Sequence, residues 1–141
     1  MEAHTLEQEL ESTLESVDGA EQIVVAEAQA LGLDEDDLYR VGIAIRECMV
    51  NAVVHGNRYN SRKKVHLKVA RTDDRLTIVV GDEGEGFDPN CVPNPLADEN
   101  LLRQSGRGLL LMQAFVDEFQ VRCVEPRGTE VRMVKYLAKA S

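Results

Sequence analysis

A chain of 141 residues with 43% hydrophobic and 29% charged side chains has enough apolar material for one compact domain with its own core. Its formal net charge of -9 excludes sequence-independent nucleic-acid binding and docking on anionic membranes, both of which need basic surfaces. Nucleotide binding stays open, because a metal ion and backbone amides neutralise phosphates locally. No apolar run reaches membrane-spanning length, and the acidic start MEAHTLEQELE lacks the pattern of a signal peptide. Cys48, Cys91 and Cys123 are odd in number and without metal-ligand spacing, so a cytoplasmic protein with reduced thiols is expected.

Residues 1 to about 17 admit two readings. Leu6, Leu10, Leu14 and Val17 have helical spacing, whereas Leu6, Gln8, Leu10 and Ser12 are alternate positions of an edge strand. The Glu-rich composition favours helix, and the choice stays open. Asp18 with Glu21 resembles a capping box opening a helix through Ile23, Val24 and Ala28, with a stop at Gly32. The acidic run Asp34 to Asp37 suits the start of the next helix, where the dipole favours negative charge. That helix is expected to run through Leu38, Val41 and Ile45 to His55, with Gly56-Asn57 ending it. Val65 to Val69 and Leu76 to Val80 read as an antiparallel hairpin around Thr72 to Arg75. Residues 88 to 105 hold Pro89, Pro93 and Pro95 and no periodicity, which suits a lid. Leu109 to Val116 is a strongly apolar helix, and Phe119 to Val124 with Glu130 to Tyr136 close the chain as a second hairpin. Nothing divides the chain, so 1–141 reads as a single domain.

The helix before Asn57 carries a polar stripe. Glu47, Asn51 and His55 are four residues apart, a spacing that stacks side chains along one helical face. Val41, Ile45, Cys48 and Ala52 flank them on one side, and Ile43, Val50 and Val54 on the other. A carboxylate and an amide between apolar flanks are costly to desolvate unless something binds them. Alone, the stripe equally suits a helix reaching solvent through a gap between packed elements.

Two glycine motifs follow. In Asp82-x-Gly84-x-Gly86, Asp82 stands just past an apolar strand and can accept a hydrogen bond such as that of an exocyclic amine, while the glycines let backbone approach a ligand. In Gly106-x-Gly108, backbone N–H groups open a helix and can face an anion. Asn51 offers a neutral oxygen to Mg2+, and Glu47 can take a proton from a hydroxyl. Each motif is weak singly; their order and settings together are specific.

With those residues in place, the chain resembles the GHKL ATPase superfamily of the Bergerat fold. Glu47-x-x-x-Asn51 matches its N box, Asp82-x-Gly84-x-Gly86 its G1 box and Gly106-x-Gly108-Leu109 its G2 box. Gly128-Thr129 matches its late Gly-Thr step. Within it, the chain is similar to the small bacterial anti-sigma-factor serine kinases, through Glu47 to Gly56 and through Arg107-Gly108-Leu109-Leu110-Leu111-Met112 with Phe115 to Glu118. The resemblance implies an α+β two-layer sandwich, with a mixed, mostly antiparallel sheet covered on one face by helices. It implies ATP and Mg2+ as ligands, with Asn51 holding the metal and Asp82 reading adenine. Gly84, Gly86, Gly106, Gly108 and Leu109 would shape the pocket, Thr129 would support its adenine end, and 88–105 would be the ATP lid. Glu47 would be the general base. Arg107 and Arg103 would neutralise phosphates or sit exposed in and beside the lid. The implied partners are a sigma factor and an anti-anti-sigma (STAS-type) protein phosphorylated on serine, and a homodimer is implied as well.

Three alternatives remain beside a serine kinase: an ATP-binding anti-sigma module without kinase activity, a histidine-kinase catalytic domain, and an energy-coupling ATPase. Glu47 favours the kinase over the first, since a pure binder needs no base. No dimerising helix pair with an acceptor histidine supports the second, and the third needs further domains to couple to. His55 is expected to cap the end of its helix, Cys48 and Met49 to be core, and Glu83, Glu85, His4 and His66 to face solvent.

Overall fold

The computed structural model describes residues 4–84, 108–123 and 128–137. The N-terminal choice resolves as a strand. His4–Leu10 forms β1, with Leu6 and Leu10 half-buried and its glutamates exposed. β1 adds to a sheet edge, and pairing with β2 outweighs the helical preference of its glutamates. The helix that follows, α1 (Leu14–Leu31), starts earlier than the Asp18 capping box implies. Thr13 caps it instead, its hydroxyl accepting the Ser16 N–H at 3.3 Å. Asp18 and Glu21 turn outward to the neighbouring helix, where both accept from Arg46 Nη1, at 2.7 and 2.8 Å. Gly32 ends α1 in the left-handed conformation at φ 105, as the sequence suggests.

The second helix, α2 (Glu35–Val50), opens on Asp34, whose side chain accepts the Asp37 N–H at 2.8 Å. Its first turn carries Glu35, Asp36 and Asp37, charges that the helix N-terminus favours. At Asn51 the helix widens into a π-helical stretch, Asn51–Gly56. Strands β2 (Val65–Arg71) and β3 (Arg75–Gly81) follow, then helix α3 (Gly108–Phe115) and strands β4 (Glu118–Cys123) and β5 (Thr129–Tyr136).

The five strands lie in the order β1-β2-β3-β5-β4, and all four pairings are antiparallel. Alternation sends Val65, Leu67, Val69, Leu76, Ile78, Val80, Val131 and Met133 to one face. There they meet Val24, Ala28, Ile45, Met49 and Met112 of the three helices in one buried cluster. Burying each large member contributes about 1.5–3 kcal/mol. The opposite face presents His66, Lys68, Thr77, Val79, Glu130 and Arg132. The architecture is the expected α+β two-layer sandwich, with the helices on one face.

Candidate functional site

The site begins where α2 changes its winding. Glu47 and Asn51 are both half-buried, one helical turn apart. The flank of Val41, Ile45, Cys48 and Ala52 lies in the core, while Ile43, Val50 and Val54 are half-buried. Glu47 and Asn51 therefore border the hydrophobic layer without entering it. The four-residue stacking stops at Asn51, because the backbone leaves α-helical register there. His55 belongs by its backbone to the π-helical stretch, so it is not in phase with Glu47 and Asn51, and Asn57 occupies the C-cap. Its side chain lies outside the described residues. Wide turns of this kind recur at functional sites. Directly beyond, Arg58 and Tyr59 adopt left-handed backbone at φ 51 and 60, which costs non-glycine residues about 1–2 kcal/mol each. The strain is fixed by the Tyr59 N–H, which donates to the Val53 carbonyl at 2.9 Å.

Asp82 is the centre of the arrangement. The residue follows β3 directly, and its Oδ1 accepts two backbone hydrogen bonds, from Gly84 N–H at 3.0 Å and Thr129 N–H at 3.2 Å. Its own N–H donates to the Thr129 carbonyl at 3.0 Å. Among the described residues, no hydrogen bond or ion pair reaches Oδ2. Three glycines are packed around this carboxylate. A Cβ on Gly56 would lie 2.3 Å from Asp82 Oδ2, one on Gly84 would lie 1.9 Å from the Gly56 carbonyl oxygen, and one on Gly128 would lie 2.2 Å from the Asp82 carbonyl oxygen. Gly128 also has φ 112, a conformation that side chains resist. Burial raises the Asp82 carboxyl above its ordinary pKa; the bonds from Gly84 and Thr129 and the charge of Lys63 pull the other way, and Glu83 adds to the rise. The Cys48 thiol, on the buried side of α2, is pushed up by burial first and by the Asp82 charge second, so the carboxylate is within electrostatic reach of α2.

Thr129 is thus at the site as expected, but it acts there through both its backbone groups. Gly84 is part of the same cradle. Gly108 and Leu109 open α3, with the Leu109 side chain outside the described residues. Gly86, Gly106, Arg107, Arg103, Glu85 and the segment 88–105 lie outside the described residues too. Glu83 is partly exposed and holds His66 Nε2 at 2.6 Å, while Cys48 and Met49 are core. Beside Asp82, on the open face of the sheet, lies a groove of about 450 Å³ lined by Glu7, Glu9, His66, Lys68 and Glu130 among others. Its acidic lining repels phosphates, so the anion-binding end of a nucleotide belongs on the α2 side of Asp82.

Two residues were not singled out as site residues from sequence. Gly56 reads as a helix stop, yet it packs against Asp82 and Gly84. Asn57 reads the same way, yet its side chain is 2% exposed and bonds to Ser12, Lys64 and Glu83. A helix that ends on Gly-Asn needs only one of them as a stop, which is the signal that the other does something else.

The donor set fits the adenine end of a nucleotide. A carboxylate with one oxygen anchored and the other open can accept from an exocyclic amine, and the glycine packing holds it still. Asn51, half-buried one turn beyond Glu47, fits a neutral ligand to Mg2+.

Residues 10–135 match the family described as the histidine kinase-like ATPase domain. The chain is 35% identical over 115 residues to the serine-protein kinase RsbW of Staphylococcus epidermidis, covering 77% of this chain and 71% of that one. It is 32% identical over 118 residues to the serine-protein kinase RsbW of Bacillus subtilis, covering 78% and 71%. It is also 32% identical over 120 residues to the anti-sigma F factor of a Thermoanaerobacter species, covering 84% and 83%. Among solved structures, the RsbU and RsbW domains of Rv1364c from Mycobacterium tuberculosis superpose with a TM-score of 0.69 at 20% identity. That match covers 98% of this chain and 34% of the longer one, and it speaks for the fold.

Proposed function

The chain belongs to the histidine kinase-like ATPase domain family, and from that premise we propose that it is an ATP-dependent protein serine/threonine kinase and anti-sigma factor. It binds a sigma factor, phosphorylates a serine on an anti-anti-sigma (STAS-type) partner, and works as a cytoplasmic homodimer. The names of its relatives, serine-protein kinase and anti-sigma F factor, support the two activities. The observation that carries the nucleotide reading is the Asp82 cradle, with Oδ1 tied to two backbone amides and Oδ2 left open.

In this reading Asp82 Oδ2 accepts the adenine amine, and Gly56, Gly84 and Gly128 keep the carboxylate from turning away. Thr129 fixes that end from β5. Asn51 holds Mg2+, which when bound neutralises phosphate charge. Gly86 and residues 88–105 close over the nucleotide, and Gly106, Arg107, Gly108 and Leu109 shape the phosphate end. Glu47 takes the proton of the incoming serine hydroxyl as its oxygen bonds to the γ-phosphorus and the bond to ADP breaks. Phosphoryl transfer rests mainly on positioning and charge stabilisation, so this short list of groups suffices.

The test is transfer of label from γ-labelled Mg-ATP to the anti-anti-sigma protein encoded beside this chain. Label on one serine of that partner is the expected result. Measured ATP binding and confirmed pairing without transfer would overturn the kinase reading and leave a sequestering module.

A further inference from the structure

We infer that Asn57 is the positioning residue that sets Asp82 for base recognition; this rests on the nucleotide reading above and extends it to a residue with no part in the glycine or Glu-Asn motifs. Asn57 and Ser12 are the buried polar residues among those described, both at 2% exposure. The Asn57 amide uses its whole hydrogen-bonding capacity in three directions. Its Oδ1 accepts the Glu83 N–H at 2.8 Å, and its Nδ2 donates to Ser12 Oγ at 2.9 Å and to the Lys64 carbonyl at 3.0 Å. The orientation of the amide follows from its partners, because Glu83 N–H needs an acceptor and Lys64 C=O a donor. Ser12 in turn donates to the Lys63 carbonyl, which closes the network against the β1–α1 junction.

The position of the Glu83 N–H gives this network its consequence. That group is next in the chain to Asp82. Thr129 holds the Asp82 N–H and, with Gly84, its Oδ1. These bonds fix Asp82 to the sheet and to its own loop. The Asn57 bond alone, among the described residues, ties this turn by a side chain to the end of the helix that carries Glu47 and Asn51. It sets how far the base-reading carboxylate stands from the phosphate end. The π-helical stretch delivers Asn57 to that place, since its N–H donates to the Ala52 carbonyl at 2.8 Å.

The test compares ATP with purine riboside triphosphate, which lacks the 6-amino group, by calorimetric titration of the full chain. The wild-type protein is expected to prefer ATP. Asn57→Ala is expected to weaken ATP binding about tenfold, to leave the purine analogue near its wild-type affinity, and so to abolish most of the preference. Ser12→Ala, which removes one partner of the amide and preserves the Glu83 bond, is expected to reduce the preference about twofold. It carries the test if Asn57→Ala does not fold. A lesion of folding alone lowers the binding stoichiometry or weakens both ligands equally; that result, or an unchanged preference in the variants, overturns the inference. Failure of the wild-type protein to bind ATP overturns the nucleotide reading itself, and this inference with it.

Discussion

A single methyl group at Gly56 tests whether the Asp82 cradle is as constrained as its geometry implies. In Gly56→Ala, the new Cβ would stand 2.3 Å from Asp82 Oδ2, 2.5 Å from Cγ and 3.0 Å from Oδ1. Carbon and oxygen approach comfortably to about 3.3 Å, so a gap of roughly 1 Å must open. Asp82 cannot turn aside freely, because Oδ1 holds Gly84 N–H at 3.0 Å and Thr129 N–H at 3.2 Å. Losing both bonds costs about 1 kcal/mol each, about 2 kcal/mol together. For a domain of this size that is a fall of about 4 to 8 °C in Tm. A carboxylate displaced by this much also loses its charge-assisted bond to the base. That bond contributes about 1.5–3 kcal/mol, so ATP affinity falls roughly 10- to 150-fold. Thermal denaturation and calorimetric titration with ATP read the two effects. Gly19→Ala is the matched control: nothing lies within 4 Å of its new Cβ, and the site is inside α1. Alanine favours a helix interior by about 0.5–1 kcal/mol over glycine, so Tm rises and ATP affinity stays unchanged. Wild-type Tm and wild-type affinity in Gly56→Ala would refute the reasoning.

Asp82→Asn keeps an oxygen for Gly84 and Thr129 but turns an amide donor toward the adenine amine. ATP affinity is expected to fall about 10- to 100-fold without loss of Tm, and unchanged affinity by calorimetry would refute the role. The pH dependence follows from the raised Asp82 pKa. Its folded value lies above the ordinary 3.8, so the folded chain binds this proton more tightly than the unfolded one. The stability it contributes is fully present below the unfolded pKa and is lost as pH rises through the folded pKa. ATP affinity, which needs the carboxylate charged, rises over the same window. Titration from about pH 4 to 7 should show both slopes in the wild-type chain and their flattening in Asp82→Asn. Glu47→Ala should abolish phosphoryl transfer while ATP affinity stays within about twofold; affinity that drops as far as transfer would make Glu47 structural.

Much of this was legible in the chain before any coordinates. Alternation marked β2 and β3, and the apolar spacing of Val41, Ile45 and Cys48 marked the core side of α2. Asp82 and the glycine at 84 were found by their place after an apolar strand. The misreadings share a physical cause, which is that a residue's local preference was outweighed by a distant partner. The glutamates of β1 favour helix, but an open sheet edge was there to pair with. Asp18 and Glu21 match a capping box, but Arg46 on another helix uses them, and Thr13 was free to cap. Asn57 carries the cost of a buried amide for the sake of Ser12, Lys64 and Glu83, two of which lie more than 25 residues away. Spacing within a helix also says nothing of where its winding changes, so His55 was placed one turn from Asn51 by a periodicity that the backbone had already left.

That change of winding means the chain is one residue longer than an α-helix needs between Ala52 and Asn57. In an unbroken α-helix the Asn57 N–H would meet the Val53 carbonyl; here it meets Ala52, and Val53 receives Tyr59 instead. Removing any one residue from Asn51–Gly56 would let the ladder close regularly. Everything after it would then swing about 100° around the helix axis, carrying the amide of residue 57 away from Glu83. The shortened chain would own a better helix and a worse site, so the surplus residue behaves as an insertion retained for where it aims what comes next.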